Sequence, residues 1–440
     1  MDDVRDGGAG GVVRRNFLRE VGVASLAATA GASLLRSRPA SAASTVGTFW
    51  DEGGAVFNVK AYGAVGNGTS DDTAAIRTTI SAAAAAGGGV VYLPQGDYLI
   101  SGELSVTKGG IQLVGGGQVA TRITVASSYA SGDVIHFANL AGGSVRMLSL
   151  GSQVARTGGA AIHMETANEV YVQDVDLSQM YIGCQIDGTC ILNYIDRGYW
   201  TGFSPGGAGI WVNTAGNDQY LSNIVIDNSA TASDEPLADL RIQATGALWC
   251  HQCDMMHGQN GLLIDPPSGS NITWLFFTDC AWDSCGDRCM LINPASGATV
   301  RGLNFENCWS STALGYDGCY IGGPVDGVQF VGHRFFNNAA NGLIVYGPAS
   351  NVFVDASGSS GNGTHFSGSA GIAFTGSCNS FAVRNSRVGA YAGFGQAGQA
   401  NGVLVLAGCD NYIITGNDTQ GNTTGIHDSG GPTKVVANNL

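Results

Sequence analysis

The chain has 440 residues, of which 68 are Gly, 12% are charged and 44% are hydrophobic, with a formal charge of −14. The apolar share excludes a disordered chain, and the acidic balance excludes a nucleic-acid partner, because phosphate contacts need clustered Lys and Arg. Gly at about twice its ordinary usage, with so few charges, predicts many short strands and tight turns in one elongated domain.

Taken from the N-terminus, residues 1–42 read as an export signal. Arg14-Arg15-Asn16-Phe17-Leu18 fits a twin-arginine pattern, and Ala40-Ser41-Ala42 a small-x-small cleavage site. The mildly apolar stretch between them is short and rich in Gly and Ala, which argues against a retained anchor. Residues 1–42 hold six Arg and four acidic residues, so their removal takes the charge to −16. No later segment has ~18 consecutive apolar residues, so no membrane association is expected after cleavage and the product should be extracellular.

A spacer, 43–56, leads to one domain over 57–440. Phe57 to Ala61 reads as a strand and Gly63 to Gly68 as a turn. Asp71 or Asp72 can cap an Ala-rich helix running to about Ala86, which Gly87-Gly88-Gly89 ends. Val90 to Leu93 and Tyr98 to Ile100 are strands separated by Pro94 and Gly96.

Downstream, a strand pattern repeats. It reads AIHME (161–165), GCQID (183–187), GIWVN (209–213), DLRIQ (239–243), GLLID (261–265), CMLIN (289–293), GCYIG (318–322), GLIVY (342–346), GIAFT (371–375) and GVLVL (402–406). The spacing predicts roughly eleven coils, each of which buries its apolar face only by stacking on the next. Cys253, Cys280, Cys308 and His333 recur at similar intervals and predict an interior column. With eleven Cys, complete pairing within the chain is impossible, so reduced, buried thiols are expected. Cys250-His251-Gln252-Cys253 has no second C-x-x-C partner and predicts no zinc site.

The segments FNVKAYGAVGNG, SDDTAAI and GGGVVYLPQGDYLI closely resemble the start of the pectate-lyase-like superfamily, which includes rhamnogalacturonase/epimerase-like enzymes and tailspikes. The resemblance implies a single-stranded right-handed parallel β-helix with an N-terminal capping helix. It implies a polysaccharide as partner and, through the tailspikes, a homotrimer as one assembly. Reaction type does not follow from fold.

Alternate strand residues point outward. The repeat therefore puts His163, Glu165, Asp187, Trp211, Arg241, Asp265 and Tyr320 on one face, with Asp287 and Asp317 just ahead of their strands. Glu165, Asp187 and Asp265 are the candidate acid and base. Glu165 and Asp187, one coil apart, should lie ~5 Å apart, the spacing of a retaining glycosidase pair, with one pKa raised by the like charge. His163, Trp211, Arg241, Asp287, Asp317 and Tyr320 are candidate sugar contacts. Outward residues of any sheet are polar because they meet water, so a second loop set, Asp254, His257, Asp279 and Asp283, competes. A secreted glycoside hydrolase without cofactor or metal is the leading expectation. The alternatives are a uronan lyase, for which Ca²⁺ is a candidate cofactor, and a non-catalytic glycan-binding protein.

Overall fold

A computed structural model describes residues 55–229, 235–390 and 399–440. The signal reading on 1–42 and most of the spacer lie outside them. A short strand, Val56–Asn58, gives way to a 3₁₀ turn, Val59–Tyr62, where a strand through Ala61 was expected. The cause is local. The Asn58 side chain accepts from the Lys60 amide, and Gly63 closes the turn at φ 99°.

The helix spans Thr73–Ala85. Asp71, not Asp72, bonds its first amide, at 2.9 Å to Thr73 N. The Asp72 carboxylate instead accepts from the Val65 and Gly66 amides and ties the preceding loop to the helix. Gly89, at φ 140°, ends the turn after the helix; a Cβ there would meet Ala55 O at 2.6 Å.

All paired strands beyond are parallel and form two sheets, one of 13 strands and one of 24. This is the right-handed parallel β-helix with its capping helix, built of about 13 turns. The count exceeds the expected eleven because the strands Leu104–Val106, Ile135–Ala138 and Thr424–Asp428 fall outside the aligned repeat. Each turn gives one strand to the 13-stranded sheet. The larger sheet takes long bent strands at first, such as Asn168–Ser178 and Asn193–Thr201. Later it takes pairs such as Asn271–Thr278 and Ala281–Asp283. The bends fall at left-handed residues, among them Asp174, Arg197, Asn223, Asp279 and Asn307. Asp and Asn tolerate that conformation best after Gly.

The interior is apolar and stacked in columns. Phe277, Phe305 and Phe330 stack at 4.9 and 5.0 Å. Cys253, Cys280, Cys308 and His333 are buried as the spacing predicted, and every cysteine is free. The Cys280 amide donates to Cys308 Sγ at 3.4 Å, and Cys280 Sγ lies 3.7 Å from Cys250 Sγ. Burial pushes the Cys184, Cys308 and Cys319 thiols far up, so they stay protonated. Among the described residues no helix is long and apolar enough to cross a membrane.

Candidate functional site

The 13-stranded sheet carries two outward rows fixed by strand register. One runs Ser105, His136, His163, Gln185, Trp211, Arg241. The other, two residues further along each strand, runs Ala138, Glu165, Asp187, Asn213. Glu165 and Asp187 are direct neighbours across one rung, about 4.8 Å in backbone spacing.

The first row carries a histidine stack. The His136 and His163 rings lie 4.6 Å apart and within 10° of parallel. Carboxylates flank both edges of the stack. On one edge Asp133 is 2.8 Å from His163 Nδ1 and Glu103 is 3.3 Å from His136 Nδ1. On the other, Asp187 is 3.1 Å from His163 Nε2. Glu165 is within ion-pair reach of His136 Nε2 at 3.2 Å, without hydrogen-bond alignment. The imidazoles are largely covered, whereas the Glu165 side chain is 49% exposed. Glu165 is therefore the carboxylate of the array most open to solvent.

The charges follow from these contacts. Burial pulls the His163 pKa down, but hydrogen bonds to Asp133 and Asp187 outweigh it and raise it to about 9. Its ring is an imidazolium at neutral pH. Burial pushes Asp187 up, but His163 and the Gln185 amide at 2.7 Å prevail and hold it below the ordinary carboxylate range. Asp133 is lowered in the same way, against burial, by His163 and the Ala160 amide. The sequence expectation of a like-charge pair with a raised pKa thus fails for Asp187. An imidazolium stands in hydrogen-bond contact with it and supplies the opposing charge.

Asp133, His136 and His163 place one potential metal-ligand atom each within 4.8 Å. Parallel rings send their in-plane lone pairs side by side and not to one point, and an ion would have to displace the His163 proton. Ca²⁺ needs six to eight oxygens, while the imidazoles split these four carboxylates into two pairs. The arrangement fits a proton-charged array better than a metal centre.

The remaining predicted residues form two further groups along the same face. Arg241 lies 4.9 Å over Trp211 and bonds Asp265 through Nε and Nη2, the latter at 2.6 Å. Gln243 links the two, accepting from Trp211 Nε1 at 3.1 Å and donating to Asp265. Asp265 is three rungs from Asp187, ~14 Å away, and is committed to Arg241. Beyond it, Arg288 pairs with Asp287 at 2.9 Å, lies 3.5 Å from Asp317, and sits over the rings of Tyr316 and Tyr320. Of the competing loop set, His257 pairs with Asp227 at 3.0 Å, and Asp283 is buried against the hydroxyls of Ser284 and Ser311.

Sequence reasoning missed Glu103, Asp133 and His136. The signal was present for His136. Val134-Ile135-His136-Phe137-Ala138 repeats the apolar-His-apolar core of the 161–165 strand. Glu103 precedes a strand of three residues, too short to show a period.

Residues 56–318 match the family described as rhamnogalacturonase A/epimerase, pectate lyase-like. The chain belongs to that family. The matched span contains every residue of the histidine–carboxylate array and both Arg241 and Arg288, while Tyr320 lies two residues past its end. Residues 260–440 match a right-handed β-helix region. Among curated relatives, mannuronan C5-epimerase AlgE3 of Azotobacter vinelandii is 52% identical over 46 residues, 10% of this chain and 2% of its own length. Alginate lyase 7 of the same organism is 44% identical over 79 residues, 17% of this chain and 9% of that one. The matches therefore span only a small part of these relatives. Among solved structures, the A-module of the Azotobacter vinelandii epimerase AlgE6 superposes with a TM-score of 0.53 at 20% identity, covering 87% of this chain and 98% of the module. Tailspike protein 3 of bacteriophage CBA120 superposes at 0.60 with 12% identity, covering 85% and 59%. At such identities the likeness is one of fold.

Proposed function

We propose that this protein is a polysaccharide-modifying enzyme whose acid–base centre is the array of Glu103, Asp133, His136, His163, Glu165 and Asp187. The observation that carries the reading is His163, held between Asp133 and Asp187, both of which its contacts keep ionised. A carboxylate fixed as the anion beside a proton-bearing imidazole is what glycan acid–base chemistry uses. Membership of a rhamnogalacturonase/epimerase family and the short identities with epimerases and a lyase support a glycan substrate.

Cleavage by hydrolysis is the leading reaction. Asp187, ionised, attacks the anomeric carbon as Glu165, beside His136, gives a proton to the departing oxygen, and Glu165 then takes a proton from the water that displaces the sugar from Asp187. The rung spacing of Glu165 and Asp187 suits retention. Trp211 stacks on a sugar ring, and Arg241 with Gln243 binds its oxygens. A second reading, elimination or epimerisation of a uronan, is favoured by the two guanidinium groups on the same face, which could pair with uronate carboxylates. Incubation with neutral and uronate polymers separates them. New reducing ends without the unsaturated-uronate band mean hydrolysis, the band means elimination, and altered C5 configuration without chain breaks means epimerisation. No change in any polymer would sink the enzyme reading and leave a glycan-binding protein. Trp211→Ala should raise KM several-fold with kcat little changed.

We also propose export through the twin-arginine route. Arg14→Lys with Arg15→Lys should retain the precursor in the cytoplasm, and normal secretion of that variant would refute it.

A further inference from the structure

From the strand four rungs beyond Asp187 to the loop ahead of the seventh, about 19–34 Å along the helix axis, lies a stack that the hydrolytic reading leaves unused. Its members are Tyr320, the Arg288 guanidinium, Tyr316 and Phe366. Arg288 lies 5.2 Å from the Tyr320 ring and 4.5 Å from that of Tyr316. Phe366 continues it, 5.9 Å from Tyr316 and within 12° of parallel. Tyr316 and Phe366 are 47% and 46% exposed. They line one wall of an open cleft of about 400 Å³.

The rest of the cleft is polar. Asp317 and Asn341 line it together with Ser367 and Ser369. Asn341 donates to Asp317 Oδ1 from its backbone and its side chain, at 3.1 and 2.9 Å, which fixes that carboxyl in place. Arg288 Nε, 3.5 Å from Asp317 Oδ2, is buried and makes no aligned hydrogen bond. An aromatic platform beside fixed hydroxyl, amide and carboxyl groups is complementary to a pyranose, which has an apolar ring face and a polar rim.

We propose that this cleft is a distal subsite for a sugar ring of the same glycan chain that reaches the array around Asp187. The inference rests on the polysaccharide reading above and adds substrate length to it. The cleft residues belong to the fifth to seventh turns beyond Asp187, which exceeds the reach of a mono- or disaccharide, so only a longer chain bridges both places. The enzyme is thereby a polymer-selective one, drawing binding energy from a ring far from the reacting bond.

The test is affinity electrophoresis of the full chain in gels containing polymannuronate, polygalacturonate or a neutral β-glucan, with turnover measured on polymer and on its trisaccharide. Phe366→Ala and Tyr316→Ala should weaken retardation by ~10-fold and raise KM for the polymer alike. Their kcat and their activity on the trisaccharide should match the wild type. Both side chains are half exposed, so unchanged melting is expected and serves as the control for folding. If the variants are retarded like the wild type while Trp211→Ala is not, the subsite is wrong and the enzyme reading stands. If the wild type is retarded through Phe366 yet forms no product, the subsite stands and the enzyme reading falls. Retardation by none of the three polymers would overturn the subsite.

Discussion

His163 is the residue on which the site turns, because both of its ring nitrogens are committed to carboxylates at 2.8 and 3.1 Å. Its pKa of about 9 is a property of those two contacts. Asp187→Asn removes one of them and should move the His163 titration down toward 6.5, read by long-range ¹H–¹⁵N correlation of the imidazole. A titration that stays near 9 in that variant would show that Asp187 does not hold the proton. The same substitution, and Glu165→Gln, should each cut turnover by ~10² or more with an unchanged circular dichroism spectrum. Near-wild-type rates in both would move the chemistry off this face. Outward position was legible from period-two alternation, which is why Glu165, Asp187 and His163 were named from sequence. Their charge states were not legible. They depend on His136 and Asp133, which belong to the preceding turn and meet the others only through stacking.

At the scale of the element, strand and column were readable for one reason. An inward residue of each turn packs on its equivalents one rung away, so the sequence must repeat apolar or small side chains at turn length. The column Cys253, Cys280 and Cys308 obeys this and is buried throughout. Cys280→Asp should abolish folding or lower the melting midpoint sharply, since an unpaired buried charge costs several kcal/mol, on the order of a domain's whole margin. Cys280→Ala, which only removes a sulfur, should cost ~1 kcal/mol. Equal behaviour of the two would show that position 280 meets water. Native protein should leave all three thiols unmodified by a thiol reagent that labels them after denaturation. Element ends were read less well. The strand expected through Ala61 is a turn because Asn58 and Gly63 bond or bend locally, and the first and last turns carry strands that break the repeat.

Across the whole molecule, stacked turns stabilise one another through neighbours, so ionisable groups in separate turns contribute to one folding equilibrium. Two histidines act in opposite directions. His333 is fully buried beside Phe335, with its Nε2 2.8 Å from Ser310 Oγ, and burial lowers its pKa to about 3. A depressed pKa means that the unfolded chain binds a proton the native state refuses. The stability from His333 is therefore present above about 6.5 and lost as pH falls from there toward 3. For His163 the folded pKa is raised, so its contribution is complete below about 6.5 and is lost as pH rises through about 9. Asp187 and Asp133, both lowered, add to the acid limb only below about pH 4, where the unfolded chain's carboxyls take up protons. Together these predict a melting midpoint that peaks near pH 6–7 and falls on both sides. His333→Phe, matched to its aromatic neighbours, should flatten the acid limb and leave the alkaline one alone. His163→Gln should flatten the alkaline limb above pH 7 and, because His163 holds Asp133 and Asp187 low, also lessen the loss below about pH 4. Melting curves of the three proteins from pH 2.5 to pH 9.5 decide it. If His333→Phe keeps the wild-type acid slope, the buried imidazole is not what resists protonation in the folded chain, and the acid limb belongs to the carboxylates alone.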